Sequence, residues 1–176
     1  EEGKFGYNFQ EIDMAVFLQE LVGQALSVAK AYGVKVYMEP AQEQNLMASI
    51  DAERMSLAVA NLLENAIKYN VPNGKVVLSV TRQADAPYLQ VNVSDTGLGM
   101  SKETMNRLFT KFFRGENVVA KETDGSGLGL YIVKNIIRRH GGKIWVESEL
   151  NRGTVFHFTV PTDPKLIPQR EISDQV

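Results

Sequence analysis

The spacing of apolar residues along the chain predicts three main helices. Apolar positions recur every three or four residues in "MAVFLQELVGQALSVAKAYG" (14–33), "DAERMSLAVANLLENAIKYN" (51–70) and "SGLGLYIVKNIIRRHGG" (126–142), which is the period of a helix. Asp51 can cap the N-terminus of the second helix, and glycines end the first and the third. A shorter helix is predicted in "SKETMNRLFTKFF" (101–113), opened by Ser101 and closed around Gly115.

Runs rich in β-branched and aromatic residues predict five strands. They are "VKVYME" (34–39), "GKVVLSVTRQ" (74–83), "YLQVNVSD" (88–95), "KIWVESE" (143–149) and "TVFHFTVP" (154–161). Because the strands come in pairs rather than alternating singly with helices, a doubly wound parallel sheet fits poorly. We predict an α+β fold, a two-layer α/β sandwich whose mixed, mostly antiparallel sheet carries the three main helices on one face.

The composition is that of one soluble globular domain and argues against several functions. The 176 residues are 44% hydrophobic and 23% charged, and a net charge of −2 gives none of the basic surface that nucleic-acid binding usually needs. With no cysteine and two histidines, neither disulfides nor a zinc cluster is expected. No apolar stretch reaches the length of about 20 residues that spans a bilayer, and the first residues lack the basic and apolar regions of a secretion signal, so we expect no direct membrane contact. Because the chain does not begin with Met, we expect a fragment of a longer protein.

The second predicted helix carries a polar line on one side. At 100° per residue, Asn61, Asn65 and Lys68 fall within about 60° of one another, with apolar residues on the other side. Such a line can be a plain solvated face. It can also be a ligand site, because carboxamide oxygens suit Mg²⁺ and a nearby lysine neutralises phosphate charge. The helix alone leaves both interpretations open.

A strand runs directly into a glycine loop at "VSDTGLGM" (93–100). Asp95, at the strand end, can accept a hydrogen bond from an exocyclic amine such as that of adenine. Gly97 and Gly99 let the backbone turn and approach a flat ligand closely. The same residues also fit a turn capped by Asp. They do not fit a dinucleotide fingerprint, since Lys102 stands where a third glycine is required.

A second glycine cluster, "DGSGLGLYIVKN" (124–135), opens the third helix. The N–H groups at a helix N-terminus bind phosphate, so this cluster is a candidate phosphate site. A flexible hinge is the alternative, and a Walker loop is excluded because no G-x-x-x-x-G-K-S/T pattern is present. Residues 115–125, which precede the cluster, show no clean period and are predicted to form a mobile loop.

Five motifs in this order resemble the ATP-binding catalytic domain of two-component sensor histidine kinases. "NLLENAIKY" is similar to the N box of that family, "DTGLGM" to its first glycine box and "LFTKFFRG" to its F box. "GSGLGL" is similar to its second glycine box, and "NRGTVFHFTVP" to its closing strand. The wider ATPase group also includes DNA gyrase, a heat-shock chaperone family and the MutL repair proteins. The resemblance covers residues 8–161 and implies a Bergerat-type ATP-binding fold.

The resemblance implies a role for each matched residue on the base side of an ATP site. Asp95 would accept a hydrogen bond from the adenine amine, together with a water that Thr154 also holds. Tyr69 would pack on the adenine, and the glycines of the first box would let the backbone close over it. The residues expected on this side are Tyr69, Asp95, Gly97, Gly99, Met100 and Thr154.

On the phosphate side, the resemblance implies that Asn65 holds Mg²⁺. Asn61, Lys68 and Arg114 would position the triphosphate and are the residues expected to be catalytic. Residues 115–126 would form a lid over the phosphates, and the chemistry would be phosphoryl transfer by positioning and electrostatics. The residues expected on this side are Asn61, Asn65, Lys68, Phe113, Arg114, Gly125, Ser126, Gly127, Leu128 and Gly129.

The phosphate acceptor is expected outside this chain. His140 ends a helix, where the helix dipole favours a histidine, and His157 alternates within a strand. The resemblance therefore implies an upstream dimerisation domain that carries the acceptor histidine and a response regulator receiver domain as a partner. It also implies a homodimeric full-length protein whose catalytic domain is cytoplasmic. Asn61 replaces the glutamate that activates water in gyrase-like members, so ATP hydrolysis should be slow.

We expect the chain to divide into a junction (1–7), the catalytic domain (8–161) and a polar tail (162–176). Two other functions remain open at this point. One is a catalytically silent nucleotide-binding module, and the other is a protein-serine kinase of the anti-sigma type, which shares the fold. The presence of Asn65, Asp95 and both glycine boxes favours the histidine kinase over the silent module. The junction-like N-terminus argues against the serine kinase.

Overall fold

The computed structural model describes residues 6–113 and 127–168, which form a layer of helices on one face of a mixed sheet and a separate two-stranded sheet. The elements in chain order are β1 (Phe9–Asp13), α1 (Met14–Ala31), β2 (Lys35–Met38), β3 (Met47–Asp51), α2 (Ala52–Lys68), β4 (Lys75–Arg82), β5 (Tyr88–Asp95), α3 (Lys102–Arg107), α4 (Gly129–Arg139), β6 (Ile144–Glu149), β7 (Gly153–Pro161) and a 3-10 helix (Pro164–Leu166).

The main sheet has five strands in the order β2-β4-β5-β7-β6. β2 pairs with β4 in parallel, and the other neighbours pair antiparallel. The predicted two-layer sandwich with a mixed, mostly antiparallel sheet is thereby confirmed. β5 is the central strand, so its carboxyl end at Asp95 has a partner strand on each side.

The core lies between this sheet and helices α1, α2 and α4. The buried residues of β5 alternate along the strand as Leu89, Val91 and Val93. Because successive side chains of a strand point to opposite faces, Asp95 continues this inward series and faces the helices. Asn92 and its pairing partner His157 lie on the other face of the sheet.

The two-stranded sheet was not predicted from the sequence. β1 pairs antiparallel with β3, from Phe9 opposite Asp51 to Asp13 opposite Met47. β1 is largely polar, and four of the five residues of β3 are buried in succession. Neither strand therefore shows the alternation by which a half-buried strand is predicted. The sheet connects the N-terminal segment to Asp51, the N-cap residue of α2.

The helices differ from the predicted ones mainly at α3. Asp51 caps α2 as predicted, since its side chain accepts a hydrogen bond from the Arg54 N–H at 3.0 Å. α3, however, ends at Arg107 instead of continuing to the predicted end around Gly115. The turn that follows places Phe112 at a φ of +60°, a conformation outside the range of a right-handed helix.

Residues 1–5, 114–126 and 169–176 lie outside the described part of the chain. The predicted junction and tail are therefore covered only in part, and the predicted lid is not covered. Within the described ranges, no helix is both long enough and apolar enough to cross a membrane.

Candidate functional site

Asp95 is the central residue of the candidate site, at the carboxyl end of β5. It pairs with Thr154 of β7, and its side chain is partly buried. Burial raises the pKa of the Asp95 carboxyl to about 6, against the opposing effect of hydrogen bonds from the backbone of Gly97 and Thr154. The Gly97 N–H donates to Oδ1 at 2.7 Å. A carboxyl group held in this way at a strand end can accept a further hydrogen bond from a ligand amine.

Gly97 and Gly99 let the loop after β5 pass between two neighbouring segments. A Cβ added at Gly97 would lie 2.5 Å from the carbonyl oxygen of Tyr69 and 2.7 Å from Oδ1 of Asp95. Gly99 has a φ of +65°, and a Cβ there would overlap the carbonyl of Glu149. A side chain at either position would displace the loop, which is the physical reason for both glycines.

Hydrogen bonds hold this loop on both sides. The Leu98 N–H donates to the Tyr69 carbonyl at the end of α2 at 3.1 Å, and the Leu98 carbonyl accepts from the Asn151 N–H at 2.7 Å. The Met100 N–H donates to Oγ of Ser148 at 2.8 Å. The loop therefore joins the end of α2 to the β6–β7 hairpin. This arrangement brings together the predicted base-side residues Tyr69, Asp95, Gly97, Gly99, Met100 and Thr154.

The polar line of α2 meets the N-terminus of α4. Asn61, Asn65 and Lys68 are all half-buried. Nδ2 of Asn61 donates to the Leu57 carbonyl at 2.9 Å, and a Cβ added at Gly129 would lie 2.8 Å from Oδ1 of Asn61. The amide oxygen is thus directed at the first residue of α4, where the free N–H groups and the helix dipole favour an anion.

The chain segments on either side of residues 114–126 are in contact. The Phe112 N–H donates to the Gly127 carbonyl at 3.1 Å. Gly127 has a φ of +69°, and an added Cβ would lie 2.8 Å from the carbonyl carbon of Phe112. The Arg107 guanidinium lies 4.7 Å from the centroid of the Phe113 ring. The F box and the second glycine box therefore meet here, whereas the described part of the chain does not include Arg114, Gly125 and Ser126.

Two residues that were not predicted as part of the site join the end of α2 to the strands. The buried Asn70 donates through Nδ2 to the Lys75 carbonyl at 3.1 Å, and its Oδ1 accepts from the Thr96 hydroxyl at 3.0 Å. Oγ1 of Thr96 also accepts from the Lys75 N–H at 2.9 Å. Because Asn70 follows Tyr69 and Thr96 follows Asp95, these bonds set the position of Tyr69 relative to Asp95. An asparagine directly after a helix was the available sequence signal.

Both histidines lie away from this site. His140 is fully buried, with Nε2 accepting from the Asp51 N–H at 3.0 Å and Nδ1 lying 2.8 Å from the Ile136 carbonyl. Burial lowers the pKa of His140, so a neutral ring occupies this position. The expected reason for a histidine here, a cation favoured by the helix dipole, is therefore wrong. His157 lies on the opposite face of the sheet, stacked on Trp145 with ring centroids 5.1 Å apart.

Metal binding in this site would depend on amide oxygens. Over residues 6–113 and 127–168, no group of three or more His, Cys, Asp or Glu side chains could hold a metal ion. The amide oxygen directed at the start of α4 is that of Asn61, and the resemblance adds the amide of Asn65. Such a set fits Mg²⁺, which keeps several waters and takes its remaining ligands from one or two side chains and from phosphates.

Residues 50–164 match the family of histidine kinase-, DNA gyrase B-, and HSP90-like ATPases. The chain belongs to this ATPase family. The matched range begins just before α2 and includes the Asp95 loop, the start of α4 and the β6–β7 hairpin, so every described site residue falls within it. Membership implies that the domain uses ATP.

Several relatives of this ATPase domain are sensor kinases. The chain is 32% identical to the sensor histidine kinase WalK of Bacillus subtilis over 68% of this chain and 20% of WalK. It is 41% identical to the adaptive-response sensory kinase SasA of Gloeothece citriformis over 63% of this chain and 28% of SasA. It is 32% identical to the sensor-like histidine kinase SenX3 of Mycobacterium tuberculosis over 88% of this chain and 37% of SenX3. The chain thus spans about a fifth to two fifths of these relatives.

Solved structures with the same fold are also histidine kinases. The catalytic domain of histidine kinase ThkA superposes with a TM-score of 0.77 at 28% identity, covering 90% of this chain and 99% of that one. Full-length ShkA in complex with AMPPNP gives a TM-score of 0.77 at 25% identity, covering 90% of this chain and 33% of ShkA. The predicted resemblance to histidine kinase catalytic domains is confirmed.

Proposed function

We propose that this chain donates the γ-phosphoryl group of ATP to a histidine on a separate dimerisation domain, as the catalytic part of a sensor histidine kinase. The proposal rests on two contacts that α2 makes. Asn61 of α2 contacts Gly129 at the start of α4, and the Tyr69 carbonyl at the end of α2 accepts from Leu98 in the Asp95 loop. One helix therefore joins a carboxylate that can accept from an amine to a helix N-terminus that can bind an anion.

The base of ATP would bind between Asp95 and the end of α2. Asp95 would accept from the adenine amine, and Tyr69 would pack against the ring. The close approach of the loop backbone, which Gly97 permits, supports a flat ligand at this point. The ammonium of Lys68 lies 5.9 Å from the centroid of the Tyr69 ring, so Lys68 would place a positive charge between the base and the phosphates.

The phosphates would lie at the contact between α2 and α4. Asn65 and Asn61 would offer amide oxygens to Mg²⁺, and the ion would supply positive charge next to the transferred group. Lys68 would add further charge, and the N–H groups from Gly127 to Gly129 would donate to phosphate oxygens. Asn61 cannot remove a proton from water, which supports transfer to an acceptor rather than rapid hydrolysis.

The acceptor histidine would come from another domain. His140 follows the last residue of α4, so about 16 Å of helix separates it from the α4 N-terminus. His157 faces the other side of the sheet. We infer an upstream dimerisation domain that carries the acceptor, a homodimeric full-length protein and a response regulator as the next recipient. The greater length of the relatives supports these further parts. The structure of ThkA in complex with response regulator protein TrrA supports the last of them. It matches with a TM-score of 0.73 at 26% identity over 89% of this chain and 42% of ThkA.

Exposed apolar side chains beside the phosphate side support the docking of such a domain. Phe112, next to Gly127, is 72% exposed, and Leu57, one turn before Asn61, is 50% exposed. Ile132, three residues after Gly129, is 38% exposed. Large apolar groups around one end of α2 and α4 are suited to packing against a helix that presents the acceptor histidine.

Radiolabelled ATP tests this proposal. The chain alone should show little ATPase activity and should not become labelled itself. It should label an added dimerisation domain that carries the acceptor histidine. Asn65→Ala should abolish transfer because it removes the proposed metal ligand. Asn92→Ala is the matched control, since it removes an amide from the opposite face of the sheet, and it should leave transfer intact. Acid-labile label on the chain alone would contradict the proposal.

A further inference from the structure

Three polar side chains form a row across the sheet at the candidate base site. Asp95 of β5 is directly opposite Thr154 of β7, and Thr154 is directly opposite Ser148 of β6. Residues paired in this way project to the same face of a sheet, which here is the face toward the helices. Asp95 and Thr154 have expected roles from the family resemblance, whereas Ser148 has none.

The Ser148 hydroxyl makes three close contacts. Its Oγ accepts from the Met100 N–H at 2.8 Å, donates to the Gly153 carbonyl at 2.9 Å and lies 2.8 Å from Oγ1 of Thr154. The first contact holds the glycine loop, and the second holds the turn of the β6–β7 hairpin. The third reaches the residue that pairs with Asp95.

The single proton of Ser148 fixes the direction of the third bond. A carbonyl oxygen can only accept, so Ser148 must use its proton for Gly153. A backbone N–H can only donate, so Met100 occupies one lone pair of Oγ. The remaining lone pair can only accept, and Thr154 must therefore donate its own hydroxyl proton to Ser148. Oγ1 of Thr154 is left with lone pairs alone for any other partner.

We propose that Ser148 is a positioning residue that makes Thr154 a hydrogen-bond acceptor toward the base, and so selects a purine that carries an amine at C6. This inference rests on the proposed binding of ATP at Asp95. The Asp95 carboxylate and Thr154 would then present acceptors side by side, which suits an exocyclic amine with two N–H donors. A carbonyl oxygen at the same position of the base would face acceptors only, and a site built in this way rejects it.

Titration calorimetry with ADP and with inosine diphosphate tests the inference. The two ligands differ at C6, where inosine has a carbonyl oxygen in place of the amine. The wild-type chain should bind ADP more tightly. Ser148→Ala frees the Thr154 proton to donate to the carbonyl, so the ratio of the inosine diphosphate Kd to the ADP Kd should fall about tenfold. Ser79→Ala is the matched control, because this hydroxyl accepts from Asn92 at 3.1 Å on the opposite face, and it should leave the ratio unchanged.

A double variant shows whether Ser148 acts through Thr154. In the Thr154→Val background the hydroxyl is already absent, so adding Ser148→Ala should not change the ratio further. An equal weakening of both nucleotides by Ser148→Ala would instead indicate a general loosening of the loop and would overturn the inference. A fall in the ratio when Ser148→Ala is added to the Thr154→Val background would also overturn the inference.

Two further outcomes separate this inference from the proposed function. If wild-type chain binds neither nucleotide, the proposed function fails and the inference with it. If it binds ADP and inosine diphosphate equally well, the inference alone fails. Should Ser148→Ala not fold, Ser148→Cys replaces the hydroxyl with a weakly accepting thiol of similar shape. It should lower the ratio in the same direction, and an unchanged ratio would overturn the inference.

Discussion

Replacing Asp95 with asparagine should stabilise the nucleotide-free domain at neutral pH while weakening its affinity for ATP. Burial raises the pKa of this carboxyl from 3.8 to about 6. A pKa that is raised on folding contributes stability at low pH, and that stability is lost as pH rises through the folded-state pKa. The charged carboxylate therefore opposes folding above pH 6, and asparagine removes this charge.

The size of the effect follows from the pKa. At about 1.4 kcal/mol for each pH unit between 3.8 and 6, the charged form of Asp95 lowers the free energy of unfolding by about 3 kcal/mol above pH 7. We do not expect asparagine to recover all of this free energy, because the side chain at residue 95 is only partly buried and the new NH₂ group needs a partner. Its carbonyl can still accept from Gly97. We expect Asp95→Asn to gain about 1–2 kcal/mol at pH 8 and to lose this advantage as pH falls from 6 to 4.

Urea denaturation of both proteins between pH 4 and pH 8 measures this difference. The exposed Asp85→Asn in the β4–β5 turn is the control, and it should change the free energy of unfolding by less than about 0.5 kcal/mol. An Asp95→Asn protein that is less stable than wild type at pH 8 would contradict this prediction. So would a difference between the two proteins that does not change with pH.

Three further predictions concern the loop, the buried histidine and the predicted lid. Gly97→Ala should weaken ADP binding at least tenfold in calorimetry, because its Cβ would meet the Tyr69 carbonyl. The control variant Gly23→Ala, whose Cβ would meet nothing within 4 Å, should stabilise α1 by up to about 1 kcal/mol. His140→Ala should lower the free energy of unfolding in urea by about 2–4 kcal/mol, because it leaves the Asp51 N–H without its acceptor, yet the folded variant should still transfer phosphate. Residues 115–126 should exchange amide hydrogens more slowly with ADP than without it; equal, strong protection in both states would contradict a lid.

Local signals predicted the elements that have a regular pattern of their own. The span of β5, from Tyr88 to Asp95, and the capping of α2 by Asp51 follow from alternation and from a short polar side chain before an apolar helix. The sheet formed by β1 and β3 could not be predicted in this way, because β1 is polar and is a strand only through its pairing. α3 was predicted too long because its apolar residues continue to Phe112, where the backbone leaves the helical region.

The candidate site likewise contains residues that a local pattern relates and residues that only tertiary packing brings together. Asn61, Asn65 and Lys68 could be predicted as one side of a helix because a fixed angle relates them. The contact of Asn61 with Gly129, 68 positions further on by their numbers, depends on tertiary packing. The same is true of Ser148, whose bond to Met100 joins residues 48 apart. No period in the sequence relates such positions.

Thermal unfolding with and without ADP and Mg²⁺ shows whether an adenine nucleotide binds at Asp95. At a nucleotide concentration of 100 times Kd, binding to the folded state alone adds about 2.7 kcal/mol, which raises the Tm of a domain of this size by about 5–10 °C. We predict such a rise for the wild-type chain and little or none for Asp95→Asn, each measured against its own nucleotide-free Tm. An unchanged Tm of the wild-type chain with ADP and with ATP, or an equal rise in Asp95→Asn, would contradict it.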